Sequence, residues 1–167
     1  MKEYLVVINP DDTIEALPFD GLSSLQKAVE GNIALVGTKS IVVAPDVFAD
    51  DNILIVLYGD RDYSRKHYGK GDVKVNALAS SLVGKPVYGK VAFVRDIKNG
   101  DEHGFSDDKS NNAMSEISYI RSILNGLIEK TKDYLQRLHE IWDNKMPEPQ
   151  LPFRPLQKRS GKRFIKK

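Results

Sequence analysis

Residues 76–94 read NALASSLVGKPVYGKVAFV, and the two halves of the stretch obey different rules. Asn76 is a good N-cap, Leu78 and Leu82 stand one helical turn apart, Gly84 falls where a helix ends in a left-handed residue, and Pro86 forbids continuation. A short helix follows from those four positions. Val87 to Val94 is apolar and alternates only partly, with Gly89 in its middle, which predicts a strand bent by a bulge or closely approached by neighbouring backbone. A helix feeding a buried strand is a packing unit, and the flanking sequence supplies what packs around it.

Upstream, Tyr4 to Ile8 is a β-branched apolar run stopped by Asn9-Pro10-Asp11-Asp12, and Thr13 to Leu17 reads as its hairpin partner with Ile14 and Ala16 on one face. Leu22, Leu25 and Val29 lie at helical spacing, so Leu22 to Glu30 is expected to be a helix, with Gly31 supplying the positive φ that ends it. Ile33 to Val36 and Ile41 to Ala44 are expected to form a hairpin turning at Gly37-Thr38-Lys39-Ser40. The unbroken apolar run Ile53 to Tyr58 is the candidate central strand, covered on both faces. Gly59 to Asp72, GDRDYSRKHYGKGD, reads as a long charged loop of the kind that carries function.

Downstream, residues 97–112 turn polar and read as a linker. Next come Ile117, Ile120, Leu124, Leu127, Thr131, Tyr134, Leu138 and Ile141, alternating spacings of three and four, with Ile128, Leu135 and Trp142 broadening the stripe. A helix of about thirty residues runs ~45 Å, longer than a domain of about 110 residues is wide. It must lie along its own sheet or meet another surface, and a homodimer through this stripe is one expectation. Four prolines between Met146 and Pro155 end it. The resulting expectation is an α+β protein: a domain at 1–96 with a small mixed sheet of about six short strands and two short helices, a linker at 97–112, a long amphipathic helix at 113–145, and a Pro-rich basic tail at 146–167.

Composition sets outer limits. Of 167 residues, 41% are hydrophobic and 29% charged, which suits a folded domain. Cysteine is absent, so disulfides and thiolate metal sites are excluded. No run approaches ~20 apolar residues and the first dozen residues turn acidic too soon for a signal peptide, so the cytoplasm is the expected location. The net charge is +2, yet Arg154, Lys158, Arg159, Lys162, Arg163, Lys166 and Lys167 alone carry seven positive charges, leaving residues 1–153 at −5. Arg159, Lys162, Arg163 and Lys166 would share one face of a helix, a surface for phosphate or for an acidic protein.

Chemistry-bearing patterns are sparse. His67, His103 and His139 show no metal-ligand spacing, and the acidic pairs Asp11-Asp12, Asp50-Asp51, Asp60 with Asp62, and Asp107-Asp108 sit in expected turns. Gly37-Thr38-Lys39-Ser40 lacks the glycines of a P-loop. The richest stretch is the loop, where Arg61, Arg65, Lys66 and Lys70 interleave with Tyr63, His67 and Tyr68; such residues bind protein hot spots or stack on bases, and equally make a plain solvated loop.

Leu25-Gln26-Lys27-Ala28-Val29-Glu30-Gly31, the N-A-L-A pattern from Asn76 and the V-Y-G-K-V-A-F-V strand together resemble a family of small α+β domains of unknown function carried by bacteriophages and plasmids. The resemblance spans about residues 1–96 and implies a phage or mobile-element accessory protein without known chemistry, acting in the host cytoplasm. The expected function is non-enzymatic binding that modulates a host or phage macromolecule, most simply a protein, with no catalytic residue, cofactor or metal. Alternatives are a nucleic-acid-binding protein using the tail and the 61–70 loop, and an enzyme or binder acting on a nucleotide-like ligand.

Overall fold

The computed structural model describes residues 2–98, 100–109 and 113–148. Along the chain come β1 (Glu3–Ile8), β2 (Ile14–Pro18), α1 (Leu22–Val29), β3 (Ile33–Val42), α2 (Pro45–Phe48), β4 (Asn52–Asp60), α3 (Tyr63–His67) and α4 (Ala77–Val83). They are followed by β5 (Val91–Lys98), β6 (Asp101–His103), β7 (Phe105–Ser106), α5 (Glu116–Lys130) and α6 (Lys132–Trp142). The strands form one open sheet in the order β2-β1-β5-β4-β3, with β6 added to β5 and β7 to β1. Every pairing is antiparallel, so the protein is α+β and its sheet is not mixed.

The 76–94 stretch lies at the centre of this arrangement. Asn76 accepts a hydrogen bond from the Ala79 amide, and Gly84, at φ 79°, closes α4. Asn76 is fully buried and its amide also donates to the carbonyls of Ile8 and Gly89, both at 2.8 Å, so one side chain ties helix, strand and turn together. The strand after it begins at Val91, later than expected. Gly89 instead occupies a turn at φ 79°, and a Cβ there would meet the Tyr63 ring at 2.6 Å. It is β5, and not β4, that takes the middle place in the sheet.

Three other expectations are revised. β3 is one continuous strand rather than a hairpin, irregular between Leu35 and Gly37 and paired with β4 along its length. Gly37 is there because the Val83 side chain of α4 stands 2.9 Å from where its Cβ would be. Glu30, not Gly31, takes the left-handed conformation after α1, at φ 62°. A Cβ on Gly31 would collide with the Asp60 carboxylate. Within the expected linker, residues 101–106 are part of the fold: β6 and β7 extend the sheet, and Phe105 is fully buried.

Two cores form, one per sheet face. On the first, Phe93, Phe105, Leu57 and Ile8 pack beneath α2, α4 and α5. Full burial of such a side chain stabilises the fold by about 1.5–3 kcal/mol. On the second, Leu5, Val7, Ala92 and Val94 pack beneath α1. Arg95 fixes α5 at its start: its guanidinium is 2.8 Å from Glu116 and lies over the Phe48 and Phe105 rings. The C-terminal helical segment covers 116–142 and is interrupted at Thr131, whose φ of −111° and ψ of 21° depart from helical values. Its stripe therefore does not continue along one straight seam. Ile117, Ile120 and Leu124 are buried in the first core and Leu127 packs at its edge, so these four are committed to their own sheet rather than to a second copy.

Candidate functional site

Among the loop residues, Tyr63, Lys66 and His67 are engaged inside the molecule. Tyr63 stacks on His67 with ring centroids 4.2 Å apart, and its hydroxyl accepts from the Lys74 amide; burial raises its pKa. His67 Nδ1 lies 3.1 Å from Asp72, and Lys66 joins Asp60 at 2.8 Å while also donating to the Glu30 carbonyl. The Asp60 side chain is almost fully buried and also caps the Asp62 amide. This segment is a short helix buttressing the end of the sheet, and it leaves Arg61, Arg65, Tyr68 and Lys70 facing outward. A basic-aromatic reading face over the whole loop is not formed. The tail residues Arg154, Lys158, Arg159, Lys162, Arg163, Lys166 and Lys167 lie outside the described residues.

A polar cleft of about 700 Å³ was not foreseen. It is lined by Asn9, Asp11, Asp12, Glu15, Lys74, Lys90, His139 and Asp143, among others. His139 sits between two carboxylates, with Nε2 3.1 Å from Asp12 and Nδ1 3.3 Å from Asp143. Asp143 in turn accepts from the Val75 amide, and Asn144 exchanges hydrogen bonds with the Val73 backbone. Lys90 carries a pKa above the usual lysine value, chiefly through its hydrogen bond to Glu30. Asp12 adopts φ 66°, and its Oδ1 is buried without a hydrogen-bond partner. The residues suit acid–base work by type, while both ring nitrogens of His139 lie within hydrogen-bonding distance of carboxylates of the protein itself. The constellation works as a clamp fastening α6 to the β1–β2 turn and to the segment before α4. Among the described residues, no group of three or more His, Asp or Glu is arranged to hold a metal ion.

Exposed apolar side chains also lie on the sheet itself. The register sets Leu35 beside Tyr58, Ser40 beside Leu54 and Val42 beside Asn52, all on the face that α1 covers. Yet α1 covers β1, β5, the adjoining part of β4 and only the Ile33 end of β3. Beyond it, Leu35 is 62% exposed, Val42 82% and Leu54 37%. The outer edge of β3 pairs with no other strand among the described residues. At its near end a cavity of about 490 Å³ opens between Leu35, Arg61, Tyr88 and Pro147, where the buried Tyr88 hydroxyl has no hydrogen-bond partner. Of the other stripe residues, Tyr134 and Ile141 are about half exposed, Leu138 is half-buried, and Leu135 faces inward.

No family model, curated protein or solved structure matches this chain. Among the described residues, no helix is long and apolar enough to cross a membrane.

Proposed function

We propose that this chain is a non-enzymatic accessory protein, of a phage or mobile element as the family resemblance implies, that binds and modulates a protein of the host or phage through the open part of its sheet. The observation that carries the reading is the exposure of Leu35, Val42 and Leu54 on the two outer strands, beside a β3 edge that pairs with no other strand among the described residues. Exposed large apolar side chains next to unpaired strand amides and carbonyls are what an added strand from a partner uses, backbone bonds giving affinity and side-chain pockets giving selectivity. The engagement of Tyr63, Lys66 and His67 within the fold weighs against stacking on bases along the loop.

The test is affinity capture from cells of the source, comparing the native chain with a Leu35→Glu, Val42→Glu double variant. Both side chains are mostly exposed, so each change should shift stability by no more than about 0.5 kcal/mol. Loss of a specific captured protein with the fold intact is the expected result. An identical captured set, or nucleic acid alone released steeply by salt, would sink the reading and favour phosphate contacts instead.

A further inference from the structure

On the opposite face of the sheet, a second feature calls for a different occupant. A groove of about 450 Å³ runs between β3, α4 and α5, with Ile55 and Phe93 as its floor and Ile41, Leu82, Ile123 and Leu127 as its walls. That volume falls within the ~300–1,000 Å³ of small-molecule sites. Its lining is almost wholly apolar, and the one charged residue on it is Lys130 at the C-terminal end of α5. Lys130 is exposed and has no carboxylate within ion-pairing distance among the described residues. Because α6 begins two residues after Lys130, the negative end of α5 meets the positive end of α6.

Gly126 provides an independent observation. It lies inside α5, where glycine is the poorest helix former apart from proline, and it borders the same groove. Elsewhere a crowding neighbour explains the missing side chain, as at Gly37, Gly59 and Gly89, but at Gly126 an added Cβ would meet nothing within 4 Å. Among the described residues, neither a crowding neighbour nor a positive φ accounts for the unfavourable residue. What it preserves is open space one turn before Lys130, on the rim of an apolar trough.

We propose that the groove binds a single-chain amphiphilic anion, its apolar chain lying between α4 and α5 over Phe93 and its anionic head meeting the Lys130 ammonium at the Gly126 rim. Burial of the chain supplies affinity and the lysine selects the head group. The site is separate from the exposed residues used in the proposed function, so either stands if the other falls.

The experiment titrates monomeric decanoate and 1-decanol into methyl-labelled protein and follows the Ile41, Leu82, Ile123 and Leu127 methyl resonances. Saturable shifts confined to these groups are expected, with decanoate binding about two- to fivefold tighter than decanol, the gain of an exposed ion pair. Lys130→Gln should remove that preference without weakening decanol. Gly126→Leu should block both ligands, and if that variant does not fold, the Lys130→Gln comparison decides alone. No saturable shifts, equal affinity for acid and alcohol, unaltered preference in Lys130→Gln, or binding only to anionic phosphatidylglycerol vesicles would each overturn the proposal.

Discussion

Asn76→Ala should be among the most damaging single substitutions in this protein. The wild-type side chain caps α4 through the Ala79 amide at 3.1 Å and donates to Ile8 and Gly89 from a fully buried position. Loss of the cap costs about 1 kcal/mol, and each buried carbonyl left without its donor about 1 kcal/mol or more. The sum, about 3–5 kcal/mol, is a large share of the ~5–15 kcal/mol that holds a domain of this size. In urea, with a slope near ~2 kcal/mol/M, the midpoint should fall by about 2 M with the slope unchanged. Asn76→Asp separates the cap from the amide. It keeps an acceptor for Ala79 but turns a carboxylate oxygen toward two carbonyls, so at neutral pH it should be at least as destabilising as alanine. Burial would raise the introduced carboxyl's pKa in the folded state, so the unfolded chain binds fewer protons and stability declines as pH rises above about 4. A midpoint for Asn76→Ala within about 0.5 M of wild type, or an aspartate variant as stable as the native chain at pH 7, would refute the three-way role of this residue.

Other outcomes follow from positions already described. Leu124→Asp should unfold the protein, because a carboxylate would enter the first core, whereas Ile141→Asp should change stability by less than about 0.5 kcal/mol; chemical denaturation of the two variants separates core packing from a dimer seam. Gly126→Ala should raise stability by about 1 kcal/mol, visible as an increase of a few degrees in Tm. His103 should titrate above the usual histidine value, held up first by its hydrogen bond to Asp101 and then by Glu3, and Asp101→Asn should bring it back in an NMR titration. Its contribution to stability is present below about pH 6.5 and fades as pH rises through the folded value. Tyr58 is held protonated beyond the usual phenol range, first by burial and then by the Glu102 carboxylate to which its hydroxyl donates. Stability should therefore decline above pH ~10, and Tyr58→Phe should remove part of that alkaline loss.

What the sequence disclosed depended on whether the deciding interaction was local. The α4 helix was legible because its cap, its turn spacing, Gly84 and Pro86 lie within eleven residues of one another. The β1–β2 hairpin was legible for the same reason. Gly37-Thr38-Lys39-Ser40 misled because its turn-like glycine answers to Val83, some 46 positions away, and not to its own neighbours. Residues 97–112 looked like a linker because β6 is short and largely solvated, so a single buried aromatic, Phe105, carries the packing information. The basic-aromatic loop was visible by composition, but nothing local signals that Tyr63 fits over Gly89 or that Lys66 reaches Asp60 and Glu30. The His139 clamp was out of reach altogether, since its partner Asp12 is 127 positions distant. The apolar stripe of α5 left two coverings open, its own sheet or a second copy, and only the fold assigns Ile117, Ile120, Leu124 and Leu127 to the sheet.

Strand order also governs how this protein is made. β1 pairs on one side with β2, available at once, and on the other with β5, which leaves the ribosome some 80 residues later. At ~5–20 residues per second, that is an interval of roughly 4–16 s in which Leu5 to Ile8 have a hairpin partner but no sheet to join. The clamp of Asp143 and Asn144 on Val73 and Val75 lengthens the wait, because the segment feeding α4 is secured only after nearly 70 further residues have emerged. Vectorial synthesis thus leaves an apolar hairpin without its sheet for seconds, and chaperone demand in a heterologous host should rise as translation of residues 9–144 slows.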